Sequence, residues 1–470
     1  MVVCSISKKY SHKSVRFNTF CVIILFFCLT KTCNAQEFGF GALLDSSLYK
    51  NSPTAAPLMR GDYDDLPFSV SLKDFTPVPG YQGTTSTCAA WAAAYAGRTI
   101  LEAIKYNWNQ DSASKNTFSP SFVYNQIRMN KSCNGATSLI DALDVIKNQG
   151  SIKFKEFGFE CSRDVTEKDK SHAGDYRIIE YRDIFTSQNL NKAKLVKKSI
   201  AEKHPVVIAI DCPPSFMKAK EVLTPDSSEY KSWGRGHALV VVGYDDHKYG
   251  GAFEIINSWG TNWGNKGFLW IKYEDFQFFC PLAFELIEKS TPDPAKYDLS
   301  GTLTFRKSNG EPMKVRQNGD FLVMEKSYPS GTLFDLKISN NEPAYVYAFS
   351  SDLTYKTYKI FPFTERMVAY LPYSQNNVAI PDEDSYNLLD STTGKSYYCF
   401  LYSKEKLNLQ NIMQKVESSN GTMWERIKSV LESSMVDKNN IDYDFSKNIL
   451  FKTKSSGRSV IPILIEINHY

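Results

Sequence analysis

Beyond residue 35 the chain has no run of basic residues, no second long apolar stretch, no internal repeat and no low-complexity tract. Each absence narrows the function. The formal net charge of +4 comes from residues 1–35, where Lys8, Lys9, Lys13, Arg16 and Lys31 face no acidic side chain. The remainder carries 50 basic against 51 acidic residues and offers no nucleic-acid surface. Without a later apolar stretch, no stable membrane span is expected. Histidine is scarce, 6 in 470 residues, and His172, His204, His247 and His469 lack the spacing of metal ligands. The adjacent carboxylates Asp245 and Asp246 read as a solvated turn. Neither a metal nor a cofactor is therefore expected. What the chain does have is 42% hydrophobic and 14% aromatic residues, enough for packed cores, over a length that calls for two or more domains.

Residues 1–35 read as a cleaved export signal. A basic stretch up to Arg16 precedes an apolar run from Phe17 to Leu29, and Cys33-Asn34-Ala35 leads to a cut at Gln36. The uninterrupted apolar core, Cys21 to Leu29, is well short of the roughly 20 residues a span needs. The expected location is periplasmic, cell-surface or secreted, where disulfides persist. Cys88, Cys133, Cys161, Cys212, Cys280 and Cys399 then remain, and their pairing is open. Residues 36–64 form a short, turn-rich leader.

After this leader, an Ala-rich run from Ala89 predicts a helix to about Tyr106, capped by Thr85, Ser86 or Thr87. Further helices are expected over Ser119 to Met129 and Thr137 to Asn148. From Val206 the pattern turns to strands: Val206–Ile210, Ala238–Val242, Phe253–Ile256 and Phe268–Ile271. The Pro-rich stretch within 291–299 is a linker. Residues 300–470 are β-rich, with strands at Thr302–Phe305, Phe321–Met324, Leu333–Ile338, Ala344–Phe349 and Val460–Ile467. Two short helices belong there, one carrying Leu409, Ile412, Met413 and Val416, the other opened by a Thr422–Glu425 capping box.

Three segments carry chemistry. Cys88 starts the Ala-rich helix, His237 follows 149 residues later in Gly-His-Ala-Leu-Val-Val-Val-Gly-Tyr, and Asn257 20 residues further on opens Asn-Ser-Trp-Gly-Thr-Asn-Trp-Gly. A thiol attacks a carbonyl as thiolate, so its pKa must fall from about 8.5. A helix N-terminus and an imidazolium partner would both favour that charge. His237 would act as acid and base, Asn257 would orient its ring, and Trp259 would shield that bond from water. Gln82, six residues before Cys88, offers an amide donor for an oxyanion hole together with the Cys88 N–H.

In these segments the chain resembles a papain-family cysteine peptidase of the divergent bacterial type, over roughly Leu66 to Glu288. The resemblance also takes in Phe118-Ser119-Pro120 and Cys133-Asn134-Gly135. It implies an α+β class: a two-lobed papain-like fold over 65–290, with a helical left lobe and a β-barrel right lobe, followed by a separate β-rich accessory domain with short helices. It implies Cys88, His237 and Asn257 as catalytic residues and Gln82 in the oxyanion hole. Gly135, Ala136 and Gly236 would line a substrate cleft, and the substrate would be a peptide or protein. The chain departs from the family at Thr85, Ser86, Ala89 and Ala136, where the family has cysteine, glycine, an aromatic and glycine. Without a cysteine at 85, Cys133 must be free or pair elsewhere, and Cys161 is the candidate. Residues 36–64 are too few for the family's usual inhibitory leader, so zymogen control is expected to be absent.

Two other functions fit the same residues. An acyl-enzyme could be passed to an amine instead of water, making a ligase or transpeptidase. Alternatively, the departures could have closed the cleft, leaving a non-catalytic binding protein. For the accessory domain, tandem layout alone suggests a cell-envelope partner.

Overall fold

The computed structural model describes residues 38–185, 191–288, 297–391, 393–455 and 457–470. The expected export signal, residues 1–35, and most of the expected linker, 291–299, lie outside the described residues. Residues 38–470 form one compact unit. Among the described residues no helix is long and apolar enough to cross a membrane, and no cluster of His, Cys, Asp or Glu could hold a metal ion.

The first half builds the two lobes. Its main helix starts at Cys88–Ala90, widens into a π-helical stretch, Trp91–Arg98, and ends as Thr99–Lys105. Small side chains let this helix lie close against the sheet beneath. A Cβ at Gly97 would stand 3.1 Å from both Val207 and Leu286. Helices Pro120–Ile127 and Leu139–Asn148 pack beside it, each opened by a serine (Ser119, Ser138) whose hydroxyl accepts a first-turn N–H. The expected capping at 85–87 differs: Thr87 is the N-cap but its side chain makes no cap bond, because its hydroxyl is paired with that of Thr85.

The right lobe is an antiparallel sheet. In spatial order it runs Glu180–Asp183, Leu282–Ile287, Val206–Asp211, Gly236–Asp245, Ala252–Ile256 and Phe268–Lys272, with Ser69–Ser71 added beside Gly236–Asp245. Both faces of the central strands are covered. Val207, Ala209, Ala238 and Val240 join the helical core, while Val206, Ile208, Leu239 and Val241 point into the core under Trp259 and Trp263. This is why these strands read as unbroken apolar runs instead of alternating ones.

The accessory domain is a two-sheet sandwich. One sheet orders Thr357–Phe361, Ala344–Ser351, Gly394–Ser403, Val460–His469, Phe321–Met324 and Val315–Asn318; the other orders Asn376–Ile380, Leu333–Asn340, Leu299–Lys307, Ile449–Thr453 and Ile441–Asp444. Apolar residues of both fill the space between them, and the helices Leu409–Ser418 and Met423–Leu431 cover the outer face of the first sheet. The Thr422–Glu425 capping box is formed.

The accessory domain meets the right lobe at a buried charge cluster. Arg182 Nε donates to Glu285 (2.5 Å), and His204 Nδ1 lies 3.1 Å from the other carboxylate oxygen. Tyr373 of the accessory domain donates to that same oxygen. Arg182 and these donors hold the Glu285 carboxyl down at about 2 against the opposing effect of burial. A buried carboxylate this well paired fixes the relative placement of the two domains, since breaking it would leave a charge without compensation.

Candidate active site

The helix N-terminus and the sheet meet where the N–H of Ala238, the residue after His237, donates to the Cys88 sulfur. Cys88 opens the main helix. His237 is the second residue of the Gly236–Asp245 strand, opposite Ile210. Asn257 follows the neighbouring strand Ala252–Ile256, and its N–H donates to Gly267 O at 3.0 Å. Asn257 Oδ1 accepts two donors: the Ser258 N–H at 2.7 Å and the ring nitrogen Nε2 of His237 at 2.8 Å. With Nε2 donating, the neutral ring keeps its lone pair on Nδ1, a buried atom that has no hydrogen-bond partner. Trp259 stacks on the imidazole with centroids 4.5 Å apart, and Phe216 closes another side at 6.3 Å.

Gln82 is fixed at both ends of its amide. The Ser258 hydroxyl donates to Oε1 at 2.6 Å, so Nε2 must point the other way, to Thr85 O (2.7 Å) and Gly39 O (3.2 Å). Ser258 was not singled out in the sequence, although it sits inside the Asn-Ser-Trp-Gly run; its role needs the fold to be seen. Gly135 and Ala136 stand half-buried. Both backbone groups of Gly135 are taken by the Tyr124 hydroxyl (2.9 and 3.1 Å). The backbone on this wall that pairs across the cleft belongs instead to Thr137. Cys133 is joined to Cys161.

The short leader, too brief for the family's usual inhibitory segment, nevertheless reaches the site. Residues 38–43 lie across the site. Gly39 N–H donates to Gly83 O (3.2 Å), the Gly41 and Ala42 N–H groups both donate to Gly236 O (3.1 Å each), Thr137 N–H donates to Gly41 O (2.8 Å), and Leu43 N–H donates to Thr137 O (3.1 Å). Phe38 stacks on Trp259 at 4.3 Å, and Phe40 stands edge-on to His237 at 5.9 Å. Glycine is required on both sides of this contact. A Cβ would stand 1.9 Å from Thr85 O at Gly39, 2.1 Å from Ser86 O at Gly41, and 1.8 Å from Ala42 O at Gly236. Few residues suffice for this contact, because their backbone lies directly on the walls. The Phe-Gly-Phe-Gly-Ala pattern was the available signal.

This cover changes the electrostatics expected from the sequence. Cys88 and His237 are fully buried. Burial pushes the thiol up to about 11, only partly offset by backbone N–H groups of Ala238, Gly41, Ala89 and Cys88 itself. Burial likewise lowers the imidazole to about 4, against the Asn257 bond that favours its charged form. While residues 38–43 cover the site, burial favours the neutral form of both groups. The reason is desolvation, which here outweighs the helix N-terminus.

The site thus has the parts of a thiol acyl-transfer centre: a sulfur at a helix start, an imidazole in a fixed tautomer, and an amide already holding a peptide carbonyl. Residues 77–285 match the family model described as papain family cysteine protease, so the chain carries a papain-family domain. Cathepsin K of Mus musculus is 26% identical over 227 residues, 47% of this chain and 64% of that protein. The probable cysteine protease RDL6 of Arabidopsis thaliana is 25% identical over 162 residues, 33% and 43% of the two chains. The chain therefore spans less than two thirds of these relatives' length. Among solved structures, xylellain, a cysteine protease from Xylella fastidiosa, aligns at a TM-score of 0.46 and 20% identity, covering 54% of this chain and 97% of that one.

Proposed function

We infer that the protein is an exported cysteine peptidase held latent by its own leader. The observation that carries this reading is the peptide already in the cleft: Gln82 Nε2 and Trp259 Nε1 both donate to the Gly39 carbonyl, at 3.2 and 3.3 Å. A cleft that binds extended backbone through carbonyls and N–H groups is built for a peptide substrate. Toward the sulfur the leader presents the Gly41 N–H.

With the leader displaced, water returns and the cost of charging Cys88 and His237 falls. Nδ1 takes the thiol proton, and the thiolate forms a C–S bond to the substrate carbonyl. The oxygen, now an anion, is held by Gln82 Nε2 and the Cys88 N–H. His237 gives its proton to the departing amine as the C–N bond breaks. A water then attacks the thioester with His237 as base, the C–S bond breaks, and acid is released. Export is supported by the signal pattern in 1–35 and by the Cys133–Cys161 disulfide, a bond that persists outside reducing compartments.

The test uses protein from which residues 36–48 have been removed, incubated with a peptide library. Hydrolysis is expected, lost in Cys88→Ala with the fold retained, and reduced by about 10²–10³ in kcat in Gln82→Ala. Cleavage that survives Cys88→Ala would refute the assignment. Adding an amine nucleophile distinguishes hydrolysis from transfer by the product formed.

A further inference from the structure

The accessory domain takes no part in the chemistry above, yet it grips the leader. Upstream, Tyr49 is buried against the left lobe, its hydroxyl donating to Leu43 O (2.6 Å) and accepting the Leu139 N–H (3.3 Å). Beyond it the chain enters a slot between the two domains. On the catalytic side, Ala55 N–H donates to Asp183 O (3.0 Å) and Asp183 N–H donates to Pro53 O (2.7 Å). On the accessory side, Thr54 N–H donates to Arg366 O (2.8 Å) and Val368 N–H donates to Thr54 O (2.9 Å). Thr54 is thus bridged in parallel both to Asp183 and to Met367. One stretch of leader completes the edge of the catalytic sheet and lies on the accessory domain at once.

The accessory grip continues downstream. Ala56 is buried within the sandwich core, at 3% exposure. Met59 N–H donates to Asn377 O (2.8 Å), and the Asp62 carboxylate accepts both the backbone N–H (2.8 Å) and the side-chain amide (2.6 Å) of Asn377. Arg60 pairs with Asp384, and Arg366 reaches back to Lys50 O at 2.6 Å.

We propose that the C-terminal β domain is the anchor of the leader: by holding residues 53–62 it keeps residues 38–44 seated over Cys88, so access to the cleft is controlled from outside the catalytic domain. This rests on the reading of residues 38–44 as the latch of a cysteine peptidase. The anchor works by tethering. While residues 53–62 are held, the plug and Tyr49 are joined to a fixed point by residues 50–52 alone, and reseating is intramolecular at high local concentration. With residues 53–62 released from both Asp183 and the accessory domain, the next backbone-paired fixed point is Ser69–Ser71 on the catalytic sheet, beyond the Asp64–Lys194 ion pair. The connecting loop is then roughly fivefold longer, which lowers the local concentration of the plug about tenfold. Backbone pairing suits such a device, because it holds a strand by its edge and leaves its side chains free to vary.

The experiment uses the full chain and two variants. Ala56→Asp puts a charge into the sandwich core position, and the double variant Asp62→Ala/Asn377→Ala removes two surface bonds without disturbing that core. Amide exchange is followed separately in 38–44 and 53–62, with the rate at which iodoacetamide labels Cys88 and the rate of peptide hydrolysis. The expected result is faster exchange in 53–62, accompanied by about tenfold faster exchange in 38–44 and about tenfold faster labelling. Freed residues 53–62 with an unchanged plug and unchanged labelling would overturn the proposal, as would residues 53–62 that stay protected in both variants. Faster exchange and labelling without any hydrolysis would uphold the anchor and remove the peptidase reading instead.

Discussion

Acid should open the leader, and His237 sets by how much. In the covered site the imidazole titrates at about 4, against 6.5 for an ordinary histidine. The group is lowered by folding, so the uncovered state binds more protons between these values, and the covered state loses stability as pH falls from 6.5 towards 4. At pH 5 the imbalance favours uncovering by about thirtyfold, about 2 kcal/mol; by pH 4 it approaches about 3 kcal/mol. While the leader covers it, burial keeps the Cys88 thiol neutral throughout this window, so the covered state gains no charge there from the sulfur. The groups enclosing the ring are Asn257, Phe40, Phe216 and Trp259, and none of them titrates here. The assay is hydrogen exchange of residues 38–44 at pH 7 and pH 5, each normalised to a free peptide of the same sequence. Protection should drop by about thirtyfold at pH 5 in the parent and far less in His237→Gln, which has no proton to gain. Equal loss of protection in both proteins would refute the reasoning.

Other outcomes follow from the same contacts. Gly41→Ala drives a methyl into Ser86 O, so the plug should be expelled and Cys88 labelling at pH 7.5 should rise at least about tenfold, equivalent to about 1.4 kcal/mol of lost seating; an unchanged labelling rate would show that the plug does not limit access. Tyr373→Phe removes one donor from buried Glu285 and should destabilise the protein by about 1–3 kcal/mol in denaturant titration. Asp183, in the slot beside the leader, is raised by burial to about 7 from 3.8, so it costs stability as pH rises between those values. Asp183→Asn should therefore stabilise the protein at pH 8, by at most about 4 kcal/mol, and have little effect at pH 4; a gain of the same size at both pH values would contradict the assignment.

Local pattern was enough to place much of the catalytic domain. The Ala-rich helix starts at Cys88, the apolar runs at 206 and 238 are neighbouring strands, and the Thr422–Glu425 cap is made, because each is decided by residues close in sequence. Pairing across long separations was not legible. Phe321–Met324 runs parallel to Val460–His469, and no turn signal near either strand announces it. The candidate site divides in the same way. His237 and Asn257 are brought into contact, but the charge states of Cys88 and His237 depend on what lies over them. That cover comes from residues 38–44, whose meaning lies in the absence of side chains at Gly39, Gly41 and Gly236.

The central strands of the right lobe serve two cores, one face packed against the main helix and the other against Trp259 and Trp263. Parting the lobes would therefore bare a whole apolar sheet face to solvent, at about 25 cal/mol for each Å² uncovered. A rigid groove follows, one that gains access by losing an occupant and not by swinging wide. Small-angle scattering before and after activation should give nearly the same radius of gyration, while the chain around the groove changes from protected to solvent-exchanging.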